Sequence, residues 1–219
     1  RSDLLKGVRV LVNAGPTLED IDPVRYIGNR SSGKMGFAVA EAAMLAGAQV
    51  CLVAGPVHLP TPPGVRRIDI RSAAQLHEVM LREAVQADIV IASAAVADFR
   101  VRAIAPQKIK RGDGGLMLDL VPNPDVLAEV ARLEPRPFLV GFAAETEHVL
   151  EHARRKLARK NIDLIAANDV ARPGCGFDAN ENALTLIGPD RQWQFAQAAK
   201  PELARQLVAQ VAACYRERR

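Results

Sequence analysis

The chain has 219 residues, 49% of them hydrophobic and 25% charged, with a formal net charge of +4. Length and apolar fraction suit one large domain over 1–219 with a sizeable core, and no apolar run approaches the roughly twenty residues of a membrane helix, which excludes a helical span. The positive balance could suit nucleic acid, but aromatics are only 4% and no recognisable DNA- or RNA-binding motif appears, and a modest field around phosphorylated small molecules explains it equally well.

In chain order, "VRVLVNA" at 8–14 reads as a first strand, and "SSGKMGFAVAEAAMLAGA" as a helix with Ser31 or Ser32 near its N-cap and Gly47 at its stop. "QVCLVAG" and "VRRIDI" read as the next two strands. They are followed by a helix from Ser72 to about Ala87 and by "DIVIASAAV", a continuous apolar strand of the buried parallel type. The basic, glycine-rich loop "APQKIKRGDGG" leads to "LMLDLV", a short helix opening at "NPDV", the strand "PFLVGFA" and a helix from about Glu147 to Asn161. The strand "DLIAAN", a loop with "RPGCGF", a hairpin of "NALTLIG" and "WQFA", and a helix from Pro201 to Arg216 complete the chain. Strand and helix in strict rotation predict an α/β fold of Rossmann-like type: a parallel sheet with helices on both faces, plus a small C-terminal hairpin. Ligands of such sheets bind at the carboxyl ends of the strands, so "AGPT", "AGPV", "AAVADFR" and "GFAAET" carry the interest.

Several familiar chemistries fail on inspection. "RYIGNRSSGKMG" at 25–36 nearly spells a nucleotide-hydrolase phosphate loop, but Met35 stands where the Mg²⁺-binding hydroxyl belongs and no strand ends just before Gly28. A dinucleotide site needs GxGxxG after the first strand and an acid after the second; neither is present. "HVLEH" at 148–152 matches an inverted zinc-protease pattern, yet its surroundings offer only cations, which favours a solvated helix face. Cys51, Cys175 and Cys214 are odd in number and far apart, so reduced thiols are expected. The start "RSDLLKGVRV" has no signal-peptide core, giving a cytoplasmic expectation, and an Arg1 start would suit a piece of a longer chain.

The features that survive are basic or polar and lie near strand ends. Ser31, Ser32 and Gly33 open a helix among Arg25, Asn29, Arg30 and Lys34, which suits an anion at the positive end of the helix dipole. Lys156 and Lys160 stand at i and i+4; spacing alone favours a solubilising stripe over a double cation for a triphosphate. Lys108, Lys110 and Arg111 sit in the glycine-rich loop, either as solvated surface or as a lid that brings a lysine over a substrate. Asp98 is either a base or a loop cap.

Taken together, "AGPTLEDIDPVRYIGNRSSGKMG", "GPVHLPTPPGV", "ASAAVADFR", "APQKIK", "NPDVL", "VGFAAET" and "KNIDLIAAND" closely resemble, in matching order over almost the whole chain, the bacterial CTP-dependent phosphopantothenate–cysteine ligases. In many bacteria that family forms the C-terminal half of a bifunctional protein whose other half is a flavin-dependent decarboxylase. The resemblance implies a ligase of coenzyme A biosynthesis. The carboxylate of 4′-phosphopantothenate attacks the α-phosphate of CTP, pyrophosphate leaves, and the amine of cysteine displaces CMP from the acyl-cytidylate.

The resemblance also implies roles. Gly15, Ser31, Gly33 and Gly36 would hold the pantothenate phosphate, with Ala94 and Ala95 close to the intermediate. Asn29, with Arg25 nearby, would bind the acyl-cytidylate, and Lys108 would assist transfer to cysteine as its loop closes over the site. Ala92, Ser93, Ala94, Asp98, Lys108, Pro124, Asp125, Val126, Leu127 and Phe142 would surround the nucleotide, and Lys156 and Lys160 would neutralise its phosphates. Mg²⁺ would accompany CTP without a dedicated protein metal site, and a homodimer is implied, with no nucleic acid or membrane partner. Asn13, Gly28 and Arg30 depart from the residues common in the family. Two other classes stay open at this point: a non-catalytic CTP-sensing domain and a nicotinamide-dependent oxidoreductase.

Overall fold

The computed structural model describes residues 2–145, 149–169 and 179–218. The first half runs β1 (Arg9–Ala14), β2 (Leu18–Asp20), β3 (Tyr26–Gly28), α1 (Lys34–Leu45), β4 (Gln49–Ala54), β5 (Arg66–Asp69), α2 (Ala73–Ala84), β6 (Ile89–Ala92) and β7 (Phe99–Val101). The second runs β8 (Leu120–Pro122), α3 (Val126–Val130), β9 (Phe138–Glu145), α4 (Val149–Lys160), β10 (Leu164–Asp169), β11 (Glu181–Ile187), β12 (Gln192–Ala199) and α5 (Lys200–Arg218).

An eight-stranded sheet in the order β12-β11-β10-β9-β6-β1-β4-β5 forms the centre. From β10 to β5 neighbouring strands are parallel, and β11 and β12 are antiparallel. The apolar strands alternate their allegiance as the pleat requires. Val10, Val12, Ile89, Ile91, Phe138 and Val140 join the core beneath α1 and α5, whereas Leu11, Val90 and Leu139 join the one beneath α2, α3 and α4. Burial on both faces explains why these strands read as unbroken apolar runs. Truncating a wholly buried side chain such as Leu11 or Ile91 to alanine would destabilise the fold by about 2–5 kcal/mol.

The expected C-terminal hairpin is β11 with β12, and β11 pairs with β10, so it widens the main sheet. β4 and β5 follow one another with no helix between them, as read from the sequence. The structure differs from the expected elements in two places. "LMLDLV" supplies only the short β8, which pairs with β7 in a separate ribbon, and Leu116 and Met117 are exposed. A further ribbon, β2 with β3, lies in the segment between the first strand and the first helix where no strand was expected.

Helix starts are set by different devices. Ser72 caps α2 in a capping box with Gln75, and the buried Glu19 carboxylate accepts from the Ala73 N–H at 3.1 Å, where the helix dipole favours negative charge. α1, by contrast, is capped by Gly33 at φ 74° with no side-chain cap. Ser31 and Ser32 lie just outside the helix, near its N-cap as expected, and accept weakly from the N–H groups of Gly33 and Lys34 at 3.3 and 3.4 Å.

The chain turns from β1 to β4 and β5 on one side and later returns to β6 on the other. Adjacent connections therefore diverge beyond the carboxyl ends of β1 and β6, where open α/β sheets place their ligand crevice. The twin "AGP" turns meet there. The Gly55 N–H donates to Ala14 O at 2.9 Å, and Pro16 forms a parallel bridge with Ala95.

Candidate active site

Two clefts open at that crevice and share a wall. The first, of about 560 Å³, lies between the 92–99 segment, the β8–α3 corner and α4. The second, of about 400 Å³, lies between the start of α1, the 93–96 segment and the β10–β11 side. Ala94, Val96, Asp98, Phe142 and Lys156 border both, so a ligand in one can touch a ligand in the other.

The shared wall is pinned from β1. Asn13, almost fully buried, accepts the Ala94 N–H on its side-chain oxygen at 2.8 Å, and its backbone carbonyl accepts the Ser93 hydroxyl at 2.7 Å. The buried Thr17 hydroxyl accepts the Ala97 N–H at 2.9 Å. The departure at Asn13 thus has a definite role: its amide holds the backbone that both clefts share.

In the first cleft, Ala92, Ala94, Asp98, Pro124, Asp125, Val126, Leu127, Phe142, Lys156 and Lys160 come together. The two lysines lie inward, not on a solvated stripe: Lys156 donates to Phe142 O at 3.0 Å, and Lys160 pairs with Asp125 at 2.9 Å. Asp125 also caps α3 through the Ala128 N–H at 3.1 Å. Burial pushes the Asp125 carboxyl up, but the Lys160 hydrogen bond, the Ala128 N–H and the nearby lysine charges outweigh it and leave the group below its ordinary range. Met80, Phe99, Asn123 and Val130 also line this cleft and were not singled out from sequence.

In the second cleft, Asn29, Ser31, Gly33, Gly36, Ser93 and Ala95 come together, so Ser93 lines this cleft and not the first. Asn29 donates to Val96 O at 3.0 Å, which ties the 25–36 stretch to the shared wall. A β-carbon on Gly36 would lie 2.4 Å from both Ala14 Cβ and Ser93 Oγ, so the absence of a side chain lets the first turn of α1 press onto the end of β1 and onto Ser93, just beyond β6. Lys200, Asn182 and Asn168 also line this cleft. Lys200 and Asn182 are almost fully buried, and the Asn168 side-chain oxygen is a buried acceptor without a hydrogen-bond partner. Sequence reasoning missed all three, since a lysine before a proline at a helix start reads as surface.

Three expected residues line neither cleft. Gly15 sits behind Gly33, while Lys108 is exposed on its loop. Arg25 turns away to pair with Asp22 and to donate to Ile109 O at 2.6 Å. On α4, His152 is exposed; His148, like Cys175 and the "RPGCGF" loop, lies outside the described residues. Among the described residues no group of three or more His, Cys, Asp or Glu could hold a metal ion, and no helix is long and apolar enough to cross a membrane.

The family model for the DNA/pantothenate metabolism flavoprotein C-terminal domain matches residues 5–215. The coenzyme A biosynthesis bifunctional protein CoaBC of Vibrio cholerae is 55% identical over 204 residues, 92% of this chain and 51% of that protein, so the chain spans about half the length of such relatives. The crystal structure of the C-terminal domain of a CoaBC protein superposes with a TM-score of 0.85 at 35% identity, covering 99% of this chain and all of that one. A Cab2 variant in complex with phosphopantothenate-cysteine shares the fold, with a TM-score of 0.77 at 17% identity over 96% of this chain and 88% of that one.

Proposed function

Because the chain belongs to the DNA/pantothenate metabolism flavoprotein C-terminal domain family, we propose that it is a CTP-dependent phosphopantothenate–cysteine ligase acting in coenzyme A biosynthesis. The single observation that carries this reading is the pair of clefts meeting at Ala94, Asp98, Phe142 and Lys156. A ligase that passes through an acyl-nucleotide needs one pocket for the nucleotide, one for the acyl arm, and a common wall where the carboxylate meets the α-phosphate. Proximity of this kind supplies much of the rate enhancement of a two-substrate reaction.

In the proposed sequence, CTP occupies the first cleft, with Lys156 and Lys160 turning to its phosphates. 4′-Phosphopantothenate occupies the second, its phosphate toward Ser31, Gly33 and Lys34. A carboxylate oxygen attacks the α-phosphorus, the bond to the β-phosphate bridging oxygen breaks, and pyrophosphate leaves. Asn29 donates to the acyl oxygen of the mixed anhydride as charge develops there. The cysteine amine then adds to the acyl carbon, CMP leaves, and the amine gives up its proton as the amide forms. Lys108 assists this second step. Mg²⁺ would enter with the triphosphate and offset its charge. Asp98 and Asp125 border the cleft, and the cation would be held chiefly by phosphate oxygens and water.

Relatives described as bifunctional support a ligase half joined to a flavin-dependent decarboxylase half, the present residues 1–219 forming one ligase domain. A homodimer and a cytoplasmic location belong to the same reading. The test is pyrophosphate release from CTP and from ATP with 4′-phosphopantothenate and Mg²⁺, with and without cysteine. The ligase releases pyrophosphate with CTP and forms the amide only when cysteine is added. Tight CTP binding without release would instead support a sensing domain, and NADH fluorescence enhancement a nicotinamide enzyme.

A further inference from the structure

The loop that carries Lys108 leaves after β7 and returns at β8, and its free end is open: a β-carbon on Gly112, Gly114 or Gly115 would meet nothing within 4 Å. Its first part is tied to the β2–β3 ribbon. The Ala105 N–H donates to Ile21 O at 3.0 Å. At Ile109, the residue after Lys108, both backbone polar groups are engaged: the N–H donates to Asp22 Oδ2 at 3.0 Å, and the carbonyl accepts from Arg25 Nη2 at 2.6 Å.

The two oxygens of Asp22, whose side chain is 0% exposed, divide the work. Oδ1 accepts the Val24 and Arg25 N–H groups at 2.8 and 2.9 Å and closes the turn between β2 and β3. Oδ2 faces the loop, accepting Arg25 Nε at 3.1 Å, Arg25 Nη2 and the Ile109 N–H. Charge-assisted bonds of this kind are shorter and stronger than neutral ones, and two partners on one peptide unit fix its orientation as well as its place.

We propose that Asp22, acting through Arg25 and the Ile109 peptide, is a positioning residue that fixes the backbone from which Lys108 reaches toward the clefts. The proposal rests on the ligase reading for the role of Lys108 but not for the clamp itself. It also gives Arg25 a definite task, gripping the loop from outside both clefts. A lysine is a flexible four-carbon arm, so its ammonium reaches a reacting group reproducibly only if its backbone is anchored. Anchors at 105 and 109 leave Lys108 on a short arch, while the glycine-rich remainder is free to move without carrying it away.

Asp22→Asn separates the clamp from the fold, because an asparagine oxygen can keep the turn while its NH₂ group faces two donors, Arg25 and the Ile109 N–H. The variant is expected to keep the parent's rate of pyrophosphate release, pass the acyl-cytidylate to cysteine about tenfold more slowly, and be cut by trypsin at Lys108, Lys110 and Arg111 about tenfold faster. In a Lys108→Gln background the same substitution should add no further loss of transfer, the signature of two residues acting as one unit. Normal transfer in Asp22→Asn, equal slowing of both half-reactions, or losses that multiply in the double variant would overturn the positioning role. If the parent chain forms no acyl-cytidylate, the ligase reading fails by itself, and tryptic cleavage unchanged by Asp22→Asn overturns the clamp separately.

Discussion

The first cleft holds its partly buried charges in partnerships, Lys160 with Asp125 and Lys156 on the Phe142 carbonyl, whereas the second sinks Lys200 and Asn182 almost out of reach of water. The second also contains a buried acceptor, Asn168 Oδ1, without a partner, a condition that costs about 1–3 kcal/mol and that a ligand N–H or O–H would relieve. Under the proposed function the two clefts recognise their ligands differently: the first would exchange existing partners for phosphates, while the second is shaped in advance by close packing around the start of α1.

The largest effect is expected on the acyl side. Asn29→Asp replaces an amide donor by a carboxylate beside an anionic intermediate, and should lower amide formation by about a hundredfold or more with the thermal midpoint little changed. A near-normal rate would remove Asn29 from the reaction. Next in size is Gly36→Ala, whose new methyl would press on Ala14 and Ser93 at 2.4 Å. It should destabilise the chain by about 1–3 kcal/mol in a denaturant titration and raise KM for 4′-phosphopantothenate more than for CTP. The reverse order of KM effects would break the division between the clefts.

On the nucleotide side, Lys156→Met should raise KM for CTP about tenfold, the loss of one charged hydrogen bond, and leave that for 4′-phosphopantothenate nearly unchanged. Lys160→Met should do less, because Asp125 already shares its charge. A larger loss from Lys160 would show that the ion pair opens freely.

The smallest effect is in acid. Because the Asp125 carboxyl sits lower folded than unfolded, its pair stabilises the chain above the ordinary carboxylate range and loses that contribution as pH falls through the folded value. The Asp125 carboxylate is 46% exposed and screened by solvent, so the contribution is under about 1 kcal/mol. The thermal midpoint of Asp125→Asn should therefore fall less steeply with acidification than that of the parent chain.

What sequence makes legible here is whatever depends on local period. The parallel strands announce themselves as apolar runs because both their faces are covered, and α2 announces its start through Ser72 and Gln75 three residues on. The β2–β3 and β7–β8 ribbons were not legible, since three-residue strands are too short to show alternation. At the start of α1 the two serines mark the neighbourhood of the cap but not the capping residue itself, which is the left-handed Gly33. Within the site, most nucleotide-side residues were named through resemblance, whereas spacing alone pointed Lys156 and Lys160 to solvent. Asp22, bonded to a peptide 87 residues away, and buried Lys200 have no local signature at all.

The central claim is that the two halves of one acyl-nucleotide lie in two clefts joined at Ala94, Asp98, Phe142 and Lys156. Its most direct test is a crystal structure of the chain incubated with CTP, Mg²⁺ and 4′-phosphopantothenate without cysteine. The account expects one continuous acyl-cytidylate, its cytidine between Asp98 and Leu127, its acyl carbon at the shared wall and its terminal phosphate beside Ser31 and Gly33. A nucleotide base bound in the second cleft, or an acyl arm that never crosses the Ala94–Phe142 wall, would contradict it.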